Sequence, residues 1–258
     1  MPVMIIADTH VHLYPFADRH RFFPNAIQRM QDHAASGDTL VLMFTERFDC
    51  HAFDELARGE GPLPPGWTTC GLEDDCRLRL ANAEGTELVL AAGHQMVSAE
   101  RVEILGLMMR TKIADGLPAE QTIQRIRDAD GVPVLSWAPG KWLGTRGLIL
   151  DRLLEQFGPE QIALGDTSLR PLGWREPFKM KAARGHGFRV LCGSDPLPIA
   201  GEESVVGTYA SRIHASVDTL RESLLDPGIP VDAVGRRGGP FSVARRLVQN
   251  HRARKRQS

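Results

Sequence analysis

Short aliphatic runs, VMIIA, TLVLMF, ELVLAA, VPVLSW, IALG and FRVLCG, recur at long intervals with helix-like segments between them. Continuous apolar runs of this length read as strands buried on both faces, and helical stretches between them predict parallel pairing through right-handed crossovers. This rhythm constrains the chain to the α/β class. At 258 residues it is long for an ordinary domain, but a β/α barrel of roughly 250 residues is a single domain. Neither a repeat nor an interior linker divides it, so residues 1–240 are expected to form one domain, followed by a basic helix or tail over 241–258.

Within that frame, NAIQRMQDHAAS (after a loop to about Pro24), PAEQTIQRIRDAD, LILDRLLEQFG and REPFKMKAARG read as helices. HQMVSAERVEILGLMM reads as an extended or hairpin segment, CRLRLAN as a solvated strand, and the last 40 residues as helix-rich. No run approaches the roughly 18 apolar residues that span a membrane, and Met1 leads into a strand without a basic leader. The expectation is a soluble, cytoplasmic protein. Cys50, Cys70, Cys76 and Cys192 lack metal-knuckle spacing and are expected to be reduced. With 31 Lys plus Arg against 32 Asp plus Glu, overall charge indicates no polyanionic partner.

The first strand ends in ADTHVH, where His10 and His12 are two apart and share a face of extended backbone. Nine histidines in 258 residues give about 0.3 such pairs by chance, so position matters more than the motif. At the carboxyl end of a parallel strand, the pair stands where β/α barrels gather their chemistry. Asp195 follows the strand FRVLCG, and in a barrel that last strand neighbours the first. Two imidazoles and a carboxylate form a common three-ligand set that leaves a place for water; a helix cap is the alternative for Ser194 and Asp195. Asp166, in ALGDTSLRP, is a further ligand or a base that orients water, with Arg170 as an anion clamp, or else the pair is a turn and a surface arginine. The loop SWAPGKWLGTRG sets Trp137, Lys141, Trp142 and Arg146 together, as a phosphate-binding loop or as a packed lid. Arg245 to Arg256 form a basic stretch that could touch RNA or a membrane surface, or remain a solvated terminus. His94, after a strand, is a candidate extra ligand.

These residues together resemble the PHP (polymerase and histidinol phosphatase) domains. The resemblance runs from Ile5 to about Gly207 and lies in Asp8-x-His10-x-His12, in VEILGL followed by DGLPAEQTIQRIRDADGVPVLSW, and in Gly193-Ser194-Asp195 followed by VVGTY. It implies a distorted seven-stranded β/α (TIM-like) barrel with metal-dependent phosphoesterase activity. The departures are specific. Thr45-Glu46-Arg47 stands for the family's T-D-H, Gly93-His94-Gln95 for Gly-x-Glu, Trp137-Ala138-Pro139 for His-Pro, and Leu197 for the final histidine of G-S-D-x-H. Of about nine family ligands, His10, His12 and Asp195 match directly.

Two neutral imidazoles with one or two carboxylates offset about one divalent charge, so a mononuclear site holding Zn, Mn or Fe is expected. Asp166 or Glu46 would orient the water. Arg170, Lys141 and Arg47 would hold a small phosphorylated substrate. An amidohydrolase uses the same chemistry, and the rival class is a barrel that has lost catalysis and persists as a binding or scaffolding protein.

Overall fold

The computed structural model describes residues 4–256; Val3, which opens the predicted first strand, and the last two residues of the basic tail lie outside this range. The chain begins β1 (Ile5–Val11), α1 (Arg19–Gln31), β2 (Thr39–Phe44), α2 (Ala52–Ala57), β3 (Trp67–Leu72), β4 (Arg77–Asn82) and β5 (Glu87–Ala91). It continues with β6 (Gly93–Val97), β7 (Glu103–Leu107), α3 (Ala119–Asp128), β8 (Val132–Ser136), α4 (Thr145–Gln156) and β9 (Ala163–Thr167). The last elements are α5 (Phe178–Gly185), β10 (Val190–Gly193), β11 (Tyr209–Ile213), α6 (Leu220–Ser223), β12 (Val231–Gly235) and α7 (Pro240–Lys255).

The predicted seven-stranded barrel is not what these strands build. They form two mixed sheets, a seven-stranded one in the order β12-β11-β1-β2-β5-β4-β3 and a five-stranded one in the order β10-β9-β8-β7-β6, and neither closes into a barrel. The cause is edge occupancy. The free edge of β1 at Ile5–Ala7 is taken by antiparallel β11, and the outer edge of β2 at Val41–Met43 is taken by β5. The two sheets instead pack over one core that takes in Ile5, Val41 and Leu90 of the larger and Leu105, Val134, Ala163 and Leu191 of the smaller, and backbone bonds join them where strands end. Glu46 forms a single bridge to His94, and the Asp195 amide donates to the His10 carbonyl at 2.9 Å. The expected parallel pairing holds for β1-β2, β2-β5, β8-β9 and β9-β10, whereas β3-β4-β5, β6-β7-β8 and β1-β11-β12 are antiparallel, β6-β7 being the hairpin read from HQMVSAERVEILGLMM.

Other elements follow their sequence patterns. Ile123 and Ile126 of α3, and Leu150 and Leu153 of α4, pack with Met180 of α5 over the smaller sheet, which is how a stripe at 3.6-residue spacing buries itself. Phe22, Phe23 and Met30 of α1 cover the larger sheet. Helix α1 starts five residues before Pro24, which lies inside it, because the Asp18 side chain caps the His20 amide. Trp137 and Trp142 are packed in the second core, and the indole of Trp142 donates to the Ser136 carbonyl. The terminal region contains β12 as well as helix. No helix among the described residues is long and apolar enough to cross a membrane.

Candidate metal centre

The alternation of β1 puts Asp8 and His10 near the end of a strand that is buried along its whole length, and the chain runs on extended to His12. Strand β10 delivers Asp195 from the other side. Gly193 is required there, because a Cβ at this position would stand 2.4 Å from the His10 nitrogen and 2.5 Å from the His10 Cβ. Asp195 itself adopts a left-handed backbone, φ +49°. Three contacts fix the approach of the two strands. The Asp195 amide donates to the His10 carbonyl at 2.9 Å, the Thr9 hydroxyl to the Cys192 carbonyl at 3.0 Å, and the Ser194 amide to Asp8 at 2.8 Å. Asp8 also accepts from the Gly207 amide at 2.8 Å, so its carboxylate ties together the loops on either side of the site. Burial pushes Asp8 up to about 6, against the lowering effect of those donors.

The result is a tight cluster of buried acceptors. His10, His12 and Asp195 each offer a ligand atom, all within 4.8 Å of one another. His10 Nε2 stands 3.1 Å from His12 Nε2, 3.2 Å from Gln95 Oε1 and 3.6 Å from Asp195 Oδ1, and His12 Nε2 stands 3.8 Å from the same oxygen. Tetrahedral ligands at about 2.0 to 2.2 Å from an ion lie about 3.3 to 3.6 Å apart, so the donor set fits a single small divalent ion. Burial first, then the charges of His10 and Arg47, hold His12 well below the usual imidazole range, which keeps its lone pair available. Burial raises Asp195 in turn. Two buried imidazoles and a buried carboxyl group are the donor chemistry that a divalent ion takes. The Ser136 hydroxyl lies 3.4 Å from His10 Nδ1, an outer contact of the kind that orients a ligating ring, whereas His12 Nδ1 is buried without a partner.

The cluster sits at the wall of a cavity of about 420 Å³ lined also by Tyr14, Arg47, Gln95 and Lys141, and by Leu247, Asn250, Ala253 and Arg254 of α7. The basic stretch therefore contributes a wall of the cavity, while Arg245, Arg252, Lys255 and Arg256 face solvent. Arg246 is buried and makes five hydrogen bonds. Its guanidinium grips the Glu202 carboxylate at 2.7 to 3.0 Å, the Ser168 hydroxyl at 3.0 Å and the Asp195 carbonyl at 2.9 Å.

Of the other sequence candidates, Arg47 and Lys141 reach the cavity, Lys141 in an ion pair with Glu103 at 2.5 Å. Asp166 and Arg170 do not. Asp166 is buried, forked by Arg170 at 2.5 to 3.1 Å and bonded by the Tyr209 hydroxyl at 2.8 Å. The remaining Arg170 nitrogen holds the Trp174 carbonyl at 2.9 Å. This is an internal ion pair that lies outside the cluster. His94 bonds the Arg110 carbonyl at 3.2 Å and lines a separate recess with Glu46 and Lys112. The Glu46 carboxylate accepts from the Phe53 amide at 2.8 Å, and Gln95, which the sequence recorded only as a departure, takes the place beside the histidines.

Burial raises Glu46 to about 7 from an ordinary 4.5. The folded protein then holds a proton that the unfolded chain releases, so stability is full below about pH 4.5 and is lost as pH rises through about 7, by about 3 kcal/mol. Glu46→Gln mimics the protonated form and still accepts from Phe53. Melting curves of chelated protein should show the variant overtaking the parent above pH 7, and parallel pH profiles would refute the assignment.

No family model and no curated protein matches the chain. Solved structures do. PsfC from Pseudomonas syringae PB-5123 is 16% identical, with a TM-score of 0.56, over 99% of this chain and 100% of that one. PfuEndoQ, a lesion-specific endonuclease from Pyrococcus furiosus, is 15% identical, with a TM-score of 0.53, over 90% of this chain but only 59% of its own. An endonuclease shares this fold.

Proposed function

We propose that the protein is a metal-dependent phosphoester hydrolase, a divergent PHP-like enzyme with one divalent ion held by His10, His12 and Asp195. The observation that carries this reading is the convergence of three buried acceptor atoms within 4.8 Å at the wall of a cavity that also presents Arg47 and Arg254. The fold shared with an endonuclease, which cleaves phosphodiesters, supports it. A bound divalent ion lowers the pKa of a coordinated water to ~7 and so supplies hydroxide at neutral pH. Gln95 Oε1, 3.2 Å from His10 Nε2, is placed so that it would accept from and orient a water there. Arg47 and Arg254 bind the phosphate and neutralise charge as it develops. Those two cations favour an ester of an acid over a neutral amide. Asp166 and Glu46 are engaged elsewhere and take no part in moving the proton.

The test is metal analysis of protein purified without chelator, with assay of generic phosphomonoesters and phosphodiesters. About one equivalent of Zn, Mn or Fe is expected, with hydrolysis lost on chelation and restored by the metal. Less than about 0.1 equivalent, with no uptake from excess metal, would leave a binding or scaffolding protein instead.

A further inference from the structure

The cavity's remaining walls indicate what the phosphate is attached to. Beyond β1, where the Ala17 amide closes a turn on the Tyr14 carbonyl, His12, Tyr14 and Phe16 stack on one another, with centroids 5.5 Å apart at 27° and then 5.4 Å apart at 2°. Phe16 ends this ladder 59% exposed, and Phe48, next to Arg47 on the loop after β2, is 72% exposed while lining the cavity. Val97, Pro139, Leu197 and Leu247 make much of the remaining wall apolar. A bare phosphate or a sugar phosphate has nothing to place against these groups. A planar ring does, since its face stacks on an exposed phenyl group while the phosphate reaches the cations.

The charge count sets the size. Arg254 forms no ion pair among the described residues, Arg47 pairs only loosely with Asp49 at 3.5 Å, and Lys141 is neutralised by Glu103. Two available guanidinium groups and the metal ligands suit one dianionic phosphate. Asp115 on the same wall repels additional phosphates, and α7 closes one side of the cavity through Leu247, Asn250 and Ala253. A polymer that tracked through would need a row of cations in place of these groups.

We infer that the site takes a phosphomonoester bearing a planar ring system, of nucleoside monophosphate size, with its ring stacked on Phe48 and its phosphate between Arg47 and Arg254. This rests on the hydrolase reading for the reaction, but binding can be tested apart from turnover. The experiment is calorimetric titration of chelated, full-length protein with adenosine 5′-monophosphate, ribose 5-phosphate and a single-stranded oligonucleotide. The nucleotide should bind at least about tenfold more tightly than the ring-free ester. In Phe48→Ala, an exposed position where the fold is insensitive, that advantage should disappear, and Arg254→Gln should weaken both esters. Equal affinities in the parent, no binding of either ester, an advantage that survives Phe48→Ala, or tighter binding of the oligonucleotide would each overturn the inference. Failure of hydrolysis with the binding pattern intact would overturn only the hydrolase reading.

Discussion

Replacing His12 by alanine is expected to abolish metal retention while leaving the protein folded. The ring loses its stack on Tyr14 and its 3.1 Å hydrogen bond to His10 Nε2, but it lines the cavity, so its removal opens space that water fills, and a buried nitrogen without a partner goes with it. The metal-free variant should therefore melt close to the metal-free parent. With metal the two separate. A ligand that binds only the folded state at 100 times its Kd adds about 2.7 kcal/mol, which for a chain of this size is roughly 5 to 11 °C in Tm. The parent should show that shift on addition of Zn or Mn and the variant should show none, with hydrolysis falling in step. A variant that keeps the full shift would mean that His12 is not a ligand.

How much of this was legible in the sequence depends on the range of the interaction that decides each residue. His10 and His12 could be read because period-two alternation is local, and Asp195 because a strand and its following turn are local too. The barrel could not. Closure depends on which strand occupies each edge, and YASRI and VDAVG, short and polar as they are, become the strands β11 and β12 that block or flank the edge of β1. Asp166 and Arg170 looked like chemistry because carboxylates after strands often are. What makes them an internal ion pair is the Tyr209 hydroxyl, 43 residues away. Gln95 was visible only as a mismatch to a motif, since its value lies in the 3.2 Å approach to His10 across a different sheet.

The basic C-terminal stretch shows the same limit and holds the second large effect. Seen as a charge run it reads as solvated, yet Val243, Arg246, Leu247 and Asn250 fall at helical spacing and face inward, a stripe that the sequence contains once arginine is admitted as a buried residue. Arg246→Met should be among the most damaging single substitutions in the protein. It leaves Glu202 buried, its carboxylate still accepting from the Leu197 amide but with no cation, and it removes the donor to the Asp195 carbonyl and to the Ser168 oxygen, whose hydroxyl still donates to the Ser194 carbonyl. Removing one partner of a buried pair costs about 3 to 5 kcal/mol, or roughly 6 to 20 °C in Tm. The loss at Asp195 has a separate signature. A residue held at φ +49° keeps that backbone only while its surroundings impose it, and the Arg246 guanidinium on its carbonyl is one of those restraints. Outer contacts of this kind change metal affinity by about 10- to 100-fold. The double variant Arg246→Met/Glu202→Gln removes the stranded charge and keeps an acceptor for the Leu197 amide, so it should recover most of the stability. It should not recover the metal affinity, because nothing then holds the Asp195 carbonyl. Recovery of both in the double variant would reduce Arg246 to a packing residue, and loss of stability without any change in metal affinity in the single variant would do the same.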